Sequence, residues 1–385
     1  MRRRSGERMS RISREIERLR RVSPAAGFTI LELLVAGAVL AIIAVLMLGM
    51  TDSVRKIYTQ TIPRVQAYRD ARRAMEVLAA SISQATLNTY LDYVNSAGDY
   101  RFSPSGNSST FVPARYVRTS ELRFLSGNGT AGTAAGSPSR PTHSVFFQAP
   151  LGVVSSGATN YVGLENLLNS VGFFIEFRDD SGSRPDFFTN LPNPPPLSHR
   201  FRLIQAIQPS DRLTVYKYTA ANPGLKSSDA NGTAWMTDML ASTSRVVADN
   251  IIALVILPRL GAADQAAGGY QGDALAPDYR YDSTGSNTDP ALNPNSQLPP
   301  LVDLTLVAVD ERSFARFQGE SSTPKDLGLS ALFQTVGDLT NSANPGYAKD
   351  LKTLEATLTQ NMIDYRVFSV GVPIKAARWS KSQKN

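Results

Sequence analysis

The sequence GFTILELLVAGAVLAIIAVLMLGM occupies residues 27–50. From Phe28 to Met50 it contains 23 residues and one charged side chain, Glu32. As an α-helix these residues would span about 34 Å, which is enough to cross the hydrocarbon core of a bilayer. Apolar side chains would surround the whole helix, so it is not an amphipathic surface helix. The stretch predicts a helix that is enclosed by lipid or by other helices.

Glu32 is the exceptional residue of this stretch. An ionised carboxylate near the centre of a membrane costs about 2.5 kcal/mol or more, and less near an interface. In one interpretation, Glu32 lies about one helical turn inside the apolar run and reaches the lipid headgroups. In the other, a positive group pairs with it, because opposite charges tolerate a low-dielectric environment better together than alone.

The positive charge of the chain is concentrated before this stretch. Residues 1–27 contain nine arginines and three glutamates, a net charge of +6, whereas the whole chain of 385 residues carries +7. The part after Gly27 is therefore close to neutral. A basic segment before an apolar helix favours a cytoplasmic N-terminus and an exported C-terminal part.

The combination of Gly27, Phe28, Thr29 and Glu32 with the apolar run resembles the leader of type IV prepilins and pseudopilins. The resemblance implies that prepilin peptidase cleaves between Gly27 and Phe28 and that the new Phe28 amine is N-methylated. It also implies that the helix assembles with other pilin or pseudopilin subunits, and that Glu32 pairs with the terminal amine of a neighbour. Glu32 would then fix the register between adjacent helices. The leader is longer than in many prepilins, and Met9 is an alternative start.

Three later segments extend the resemblance. They are VADNIIALVILPRL at 247–260, LPPLVDLTLVAVD at 298–310 and YRVFSVGVPIKAARWS at 365–380. In order and character they are similar to J-class minor pseudopilins and to the Verru_Chthon cassette protein C family.

The rest of the chain predicts an α+β fold with a pilin-like organisation. A buried stripe at Tyr68, Ala71, Met75, Leu78, Ile82 and Ala85 has the spacing of an amphipathic helix, which would pack on a mostly antiparallel sheet. Pro63 is expected to end or kink the helix that precedes it. The expected units are a cleaved leader at 1–27, a hydrophobic helix at 28–63 and an exported head at 64–385.

Period-two patterns and turn residues predict the elements of the head. The predicted strands cover residues 121–125, 145–148, 171–178, 200–207, 213–218, 250–257, 301–310 and 365–374. Short helices are predicted at 164–170, 234–240 and 348–362. Long loops rich in Gly, Pro, Ser and Asn are predicted at 95–113, 126–142, 180–198 and 261–300. The last is long enough to be either an excursion with its own role or partly disordered.

The sequence indicates no catalytic, cofactor or metal site. The chain has no cysteine and two histidines, His143 and His199, which do not form a recognised zinc pattern. Some pseudopilins bind calcium in a loop, but the acids Asp273, Asp278, Asp282 and Asp289 lack the spacing of an EF-hand. Solvated loop acids are the favoured interpretation.

The favoured function is that of a minor pilin or pseudopilin in the bacterial inner membrane, with a periplasmic head and an extracytoplasmic filament after assembly. It is not expected to be an enzyme. The alternative is an exported ligand-binding or enzymatic domain on an uncleaved signal anchor. A third interpretation, a DNA-uptake pilin, needs a basic head, and the near-neutral mature charge disfavours nucleic acid as a partner.

Overall fold

The computed structural model describes residues 29–100, 111–128, 137–161, 164, 166–188, 191–216, 234–241, 243–270, 272–337 and 346–380. Contacts divide the chain into two units, Met1–Ile62 and Pro63–Asn385. The first unit contains the apolar start of helix α1, and the second contains the sheets. The architecture is α+β with antiparallel sheets, which confirms the predicted fold class at that level.

The helices are α1 (Ile30–Ser83), α2 (Ala234–Ala241), α3 (Ala262–Gly268), α4 (Glu311–Gln318) and α5 (Gly346–Gln360). Short 3₁₀ turns lie at Thr159–Tyr161, Ser181–Ser183, Asp186–Phe188, Ser210–Arg212, Pro290–Leu292 and Leu329–Ala331. Helix α1 does not end at Pro63 as predicted. The predicted helices at 234–240 and 348–362 are confirmed within two residues at each end, as α2 and α5.

The strands are β1 (Tyr90–Val94), β2 (Arg115–Thr119), β3 (Leu125–Gly127), β4 (Ser144–Pro150), β5 (Leu168–Arg178), β6 (Arg200–Gln208), β7 (Thr243–Asp249), β8 (Ile251–Arg259), β9 (Tyr281–Asp282), β10 (Leu301–Val309) and β11 (Tyr365–Pro373). They form a six-stranded sheet in the order β7-β6-β5-β4-β3-β9, a three-stranded sheet β11-β10-β8 and a two-stranded sheet β1-β2. Each pairing in the described residues is antiparallel.

The buried stripe of α1 lies where the heptad-like spacing predicts it. Ala71, Leu78 and Ile82 are fully buried in the second unit and Met75 is 6% exposed, whereas Ala85, also buried, lies beyond the helix end at Ser83. These side chains belong to the same core cluster as residues of both large sheets. Burying a Leu or Ile side chain stabilises a fold by about 1.5–3 kcal/mol. The stripe therefore gives this part of α1 its place on the sheets.

Asn250 carries the chain from the six-stranded to the three-stranded sheet. It separates β7 from β8 and has φ 60°, a left-handed conformation that Asn adopts more readily than branched residues. Its N–H donates to the Phe201 carbonyl at 2.8 Å, and its carbonyl accepts from the Val309 N–H at 2.9 Å. The strand predicted at 250–257 therefore begins one residue later than predicted, at Ile251, after this corner.

Two predicted elements of the head are wrong. Residues 168–170, placed in a helix at 164–170, belong to β5, where the Asn169 amide donates to the carbonyls of Val153 at 2.7 Å and Gln208 at 3.1 Å. Residues 213–216 of the strand predicted at 213–218 are not a strand, and residues 217–218 lie outside the described part. Here a 3₁₀ turn at Ser210–Arg212 follows β6, the Gln208 side chain accepts from the Thr214 N–H at 3.1 Å, and residues 215–216 are helical.

The long segment predicted as a loop at 261–300 is an ordered excursion wherever the structure describes it. It contains α3, β9 and a 3₁₀ turn, and β9 pairs with the edge of β3. Tyr279, Tyr281 and Leu298 are buried there. Arg123 forms a two-pronged ion pair with Asp282, with Nε to Oδ1 at 2.9 Å and Nη2 to Oδ2 at 2.6 Å. The segment is therefore built into the head.

Other structure within the predicted loops and connections was missed. The sequence patterns predict no strand at β1, β2, β7 or β9, and no helix at α3 or α4. The predicted strand at 121–125 starts too early, since β3 begins only at Leu125. The loops at 95–113, 126–142 and 180–198 are only partly covered by the described residues.

Gly172 in β5 offers a test of this packing. A Cβ at this position would lie 2.5 Å from Cε1 of Phe146 and 2.9 Å from Cε of Met239. The Phe146 ring is fully buried, so it cannot easily move aside. We expect Gly172→Ala to lower the free energy of unfolding by about 1–3 kcal/mol in urea titrations. Gly182→Ala is the matched control, because an added Cβ has no neighbour within 4 Å there, and an equal loss in both variants would contradict the packing.

Candidate functional site at the start of helix α1

Thr29 caps the first turn of α1. Its Oγ1 accepts a hydrogen bond from the Glu32 N–H at 3.2 Å, and its carbonyl accepts from the Leu33 N–H at 3.2 Å. Thr followed three positions later by Glu is the spacing of a capping box, and an N-cap of this kind contributes about 1 kcal/mol to helix stability. Sequence reasoning assigned Thr29 only to the processing motif, although the T-x-x-E spacing indicates the cap.

Glu32 lies in the first turn of the helix, and its residue is exposed. The partial positive charge of a helix N-terminus favours a carboxylate at this position. Within the described residues no side chain pairs with the Glu32 carboxylate. Its charge is therefore available to a group from outside this helix. Gly27 and Phe28, the two residues of the predicted cleavage site, lie outside the described residues.

The apolar side chains that follow have no cover within the first unit. The large hydrophobic residues from Ile30 to Met50 are 48 to 88% exposed. At about 1.5–3 kcal/mol for each such side chain, leaving them in water would cost tens of kcal/mol. The segment Ile30–Arg55 has 26 residues, its most apolar 18-residue window has a mean hydropathy of 2.8, and it is long and apolar enough to cross a membrane. This finding is compatible with an N-terminal membrane anchor, as predicted.

Glu32 stands at the N-terminal end of one apolar helix face. Val35, Ala36, Val39, Leu40 and Ile43 follow it at spacings of three and four, so their side chains lie one above the other. Ala36 is the small residue next to the carboxylate on this face. A second helix packed here would meet an apolar surface with a single charge at one end.

Two hydroxyl groups at the C-terminal end of the apolar segment form hydrogen bonds within the helix. The Thr51 hydroxyl donates to the Met47 carbonyl at 2.8 Å, and the Ser53 hydroxyl donates to the Gly49 carbonyl at 2.9 Å. Hydroxyls bonded to carbonyls one turn earlier do not need water, so they can lie near or within a bilayer.

The acids considered as calcium ligands are engaged in local structure where their contacts are described. Asp282 pairs with Arg123, and its Oδ1 also accepts from the Thr284 N–H at 2.9 Å. Asp289 accepts from the Tyr270 hydroxyl at 2.7 Å and from the Ala291 N–H at 2.9 Å. In the described part of the chain, no three acid or histidine side chains come close enough to hold a metal ion.

His143 is a buried structural residue. It is 1% exposed, its Nε2–H donates to the Phe333 carbonyl at 2.9 Å, and its Nδ1 accepts from the Ile256 N–H at 3.0 Å. Burial lowers the pKa of His143 to about 4, although the hydrogen bond that its Nε2–H donates to the Phe333 carbonyl opposes that change. The neutral ring therefore joins β8 to the turn around Phe333.

The lowered pKa of His143 predicts an acid-sensitive fold. In the unfolded chain His143 has its usual pKa of about 6.5, so below that pH the unfolded state binds a proton that the folded state does not. This contribution to stability is fully present above pH 6.5 and is lost as the pH falls towards 4. We expect a loss of about 3 kcal/mol across this window, measured by urea titration at a series of pH values.

The variant His143→Gln tests this assignment. It should remove most of the slope between pH 6.5 and 4, because glutamine does not titrate there. An unchanged slope in His143→Gln would show that other groups cause it.

The described part of α1 thus combines a capped first turn, a carboxylate without a partner there and an uncovered apolar surface. Such an arrangement can bind a lipid bilayer or a second helix that brings a positive group to Glu32. Thr29 and Glu32 are joined by the hydrogen bond of the helix cap, whereas Gly27 and Phe28 lie outside the described residues. No family model, no curated protein and no solved structure matches this chain.

Proposed function

We propose that this chain is a minor pilin or pseudopilin that prepilin peptidase processes and that assembles into a type IV pilus-like or type II secretion-like filament. The observation that carries the proposal is the Glu32 carboxylate, exposed in the first turn of an uncovered apolar helix. Glu32 lies four positions after Phe28 of the Gly27-Phe28 junction. In a simple anchor this carboxylate would reach the lipid headgroups, whereas in an assembly it would pair with a positive group of a neighbouring subunit.

Cleavage after Gly27 would create the partner that Glu32 needs. The new Phe28 amine, positive at neutral pH, would lie at the end of the apolar helix. In a bundle of such helices, the amine of one subunit and the Glu32 carboxylate of the next would offset each other's cost of leaving water. Because only one stagger of the two helices brings the charges together, the pair would also set the register.

The second unit supports the proposal through its architecture. The later part of α1 buries one stripe in a core that contains antiparallel strands, and this is the organisation expected of a pilin-like head. The proposal places the head in the periplasm, and in the extracytoplasmic filament after assembly. The leader, with its net charge of +6, remains on the cytoplasmic side of the inner membrane.

Co-expression with a prepilin peptidase tests the processing step. We expect the wild-type chain to lose residues 1–27, and Gly27→Leu to keep them, because the larger side chain blocks the cleavage site. Gly37→Leu is the matched control, since it places the same change inside the apolar helix, where an added Cβ has no neighbour within 4 Å. An uncut wild-type chain in the presence of active peptidase would favour the alternative of an exported domain on a permanent anchor.

A further inference from the structure

A cavity of about 910 Å³ lies in the second unit. It is formed where β6 and β7 meet the loop that follows β4. Leu151, Val153 and Ile207 contribute an apolar wall. The volume is within the range of cavities that hold small organic ligands.

Gln205 is the buried polar residue of this cavity. It is 2% exposed, and its Oε1 accepts a hydrogen bond from Nε of Arg245 at 2.7 Å. An arginine Nε–H can only donate, so this bond fixes the amide oxygen towards Arg245 and turns the Nε2 amino group away. Within the described residues Nε2 has no hydrogen-bond partner. A nearly buried donor is therefore left for a ligand or water.

The charge around the cavity is positive. Arg245 bonds the neutral amide of Gln205, and no carboxylate pairs with it in the part of the chain that the structure describes. Arg212 also lines the cavity, with its Nε 4.0 Å from the carboxylate of Asp211. Asp211 in turn accepts from the Ser155 N–H at 2.8 Å. The cavity thus presents more donors and positive charge than acceptors.

We propose that this cavity binds an apolar carboxylate. The Nη atoms of Arg245 and Nε2 of Gln205 would donate to the two carboxylate oxygens, since a guanidinium suits a carboxylate in geometry and charge. Leu151, Val153 and Ile207 would cover the hydrocarbon part. A small dianion without an apolar body would leave that wall unused. A fatty acid and the C-terminal residue of a polypeptide share this chemistry.

Calorimetric titration of the full chain in lipid nanodiscs tests the proposal, with empty nanodiscs as the blank. The first pair of probes is octanoate and octanamide, and the second is acetyl-Ala-Leu-Leu with a free or an amidated C-terminus. We expect the acid of at least one pair to bind at least tenfold more tightly than its amide. Preference for octanoate would identify a fatty acid as the source, and preference for the peptide acid a polypeptide end.

Variants of the two donors give the sharper result. Arg245→Gln should weaken binding of the acid at least tenfold, because the side chain is exposed and its loss leaves the fold intact. Gln205→Glu should also weaken it, since the new carboxylate neutralises Arg245 and repels the ligand. Arg69→Gln on α1 is the control of equal charge and should bind as the wild type does. Equal binding of acid and amide, no binding of either acid, or full binding by Arg245→Gln would overturn the proposal.

Discussion

Glu32→Gln is expected to reduce incorporation of this chain into filaments at least tenfold while membrane insertion and removal of residues 1–27 proceed as in the wild type. The substitution keeps the size of the side chain and removes its charge. The Phe28 amine of the neighbouring subunit would then lose its partner in a low-dielectric helix bundle, where an unpaired charge costs several kcal/mol. Insertion should not suffer, because a neutral side chain enters a bilayer more easily than a carboxylate.

The chain is well suited to measuring this effect because it contains no cysteine. Ala36→Cys places one thiol on the helix face that begins at Glu32, and oxidative cross-linking between subunits then reports their contact. We expect cross-linked species with Glu32 present and at least tenfold fewer with Glu32→Gln. Asp52→Asn is the matched control, since it removes one negative charge from the other end of the apolar segment. Normal assembly of Glu32→Gln would exclude the register role of this carboxylate.

Arg123→Met is expected to lower the free energy of unfolding of the head by about 3–5 kcal/mol. The side chain of Arg123 is 11% exposed and that of Asp282 is 33% exposed, so loss of the cation leaves a largely buried carboxylate without its main partner. Burial acts to raise the pKa of Asp282. The positive charge of Arg123 and the hydrogen bonds from Arg123 and Thr284 outweigh burial, so the pKa of Asp282 is lowered. Urea titration followed by tryptophan fluorescence measures the change.

Trp379 is a local reporter for this experiment, because its Nε1–H donates to the Ala291 carbonyl within the 261–300 segment at 2.9 Å. The double variant Arg123→Met with Asp282→Asn should regain part of the loss, since no buried charge then remains. Arg72→Met breaks an exposed ion pair with Glu76 and should cost less than about 1 kcal/mol. If Arg123→Met cost no more than Arg72→Met, the pair would not hold the segment to β3.

The parts of the fold that the sequence predicts are those in which one strong pattern decides the structure. The apolar run and the stripe from Ala71 to Ile82 both predict the helix, and α1 confirms them. Pro63 was expected to end or kink this helix. Proline removes one hydrogen bond, at a cost of about 3 kcal/mol, and the helical segments on both sides outweigh that cost.

The failures are places where side chains from distant positions decide the local structure. The alternating sequence LTVYKY at 213–218 favours a strand, yet the Gln208 side chain accepts from the Thr214 N–H and residues 213–216 are not a strand. Asn169 shows the reverse case. Its side-chain amide donates hydrogen bonds to the carbonyls of Val153 and Gln208, and these bonds extend β5 into residues predicted as helix. The edge strand β9 has two residues and depends on Arg123, 159 positions away from its partner Asp282. No local pattern contains these contacts.

The sequence predicts which residues form the candidate site at the start of α1, but not how these residues are arranged. The motif indicates Thr29 and Glu32, and the structure adds the cap that joins them. Gln205 and Arg245 were missed altogether, because they lie on β6 and β7 and neither belongs to a recognised motif. Only the pairing of Gln205 with Arg245 across these strands brings the two donors into one cavity.

The N-terminus of the protein isolated from its own cells is the most direct test of the filament account. Mass spectrometry of the terminal peptide should show a chain that begins at Phe28 and carries a methyl group on its amine. A chain that still begins at Met1 or Met9, with its arginine-rich leader attached, would contradict the account and leave a membrane-anchored α+β domain.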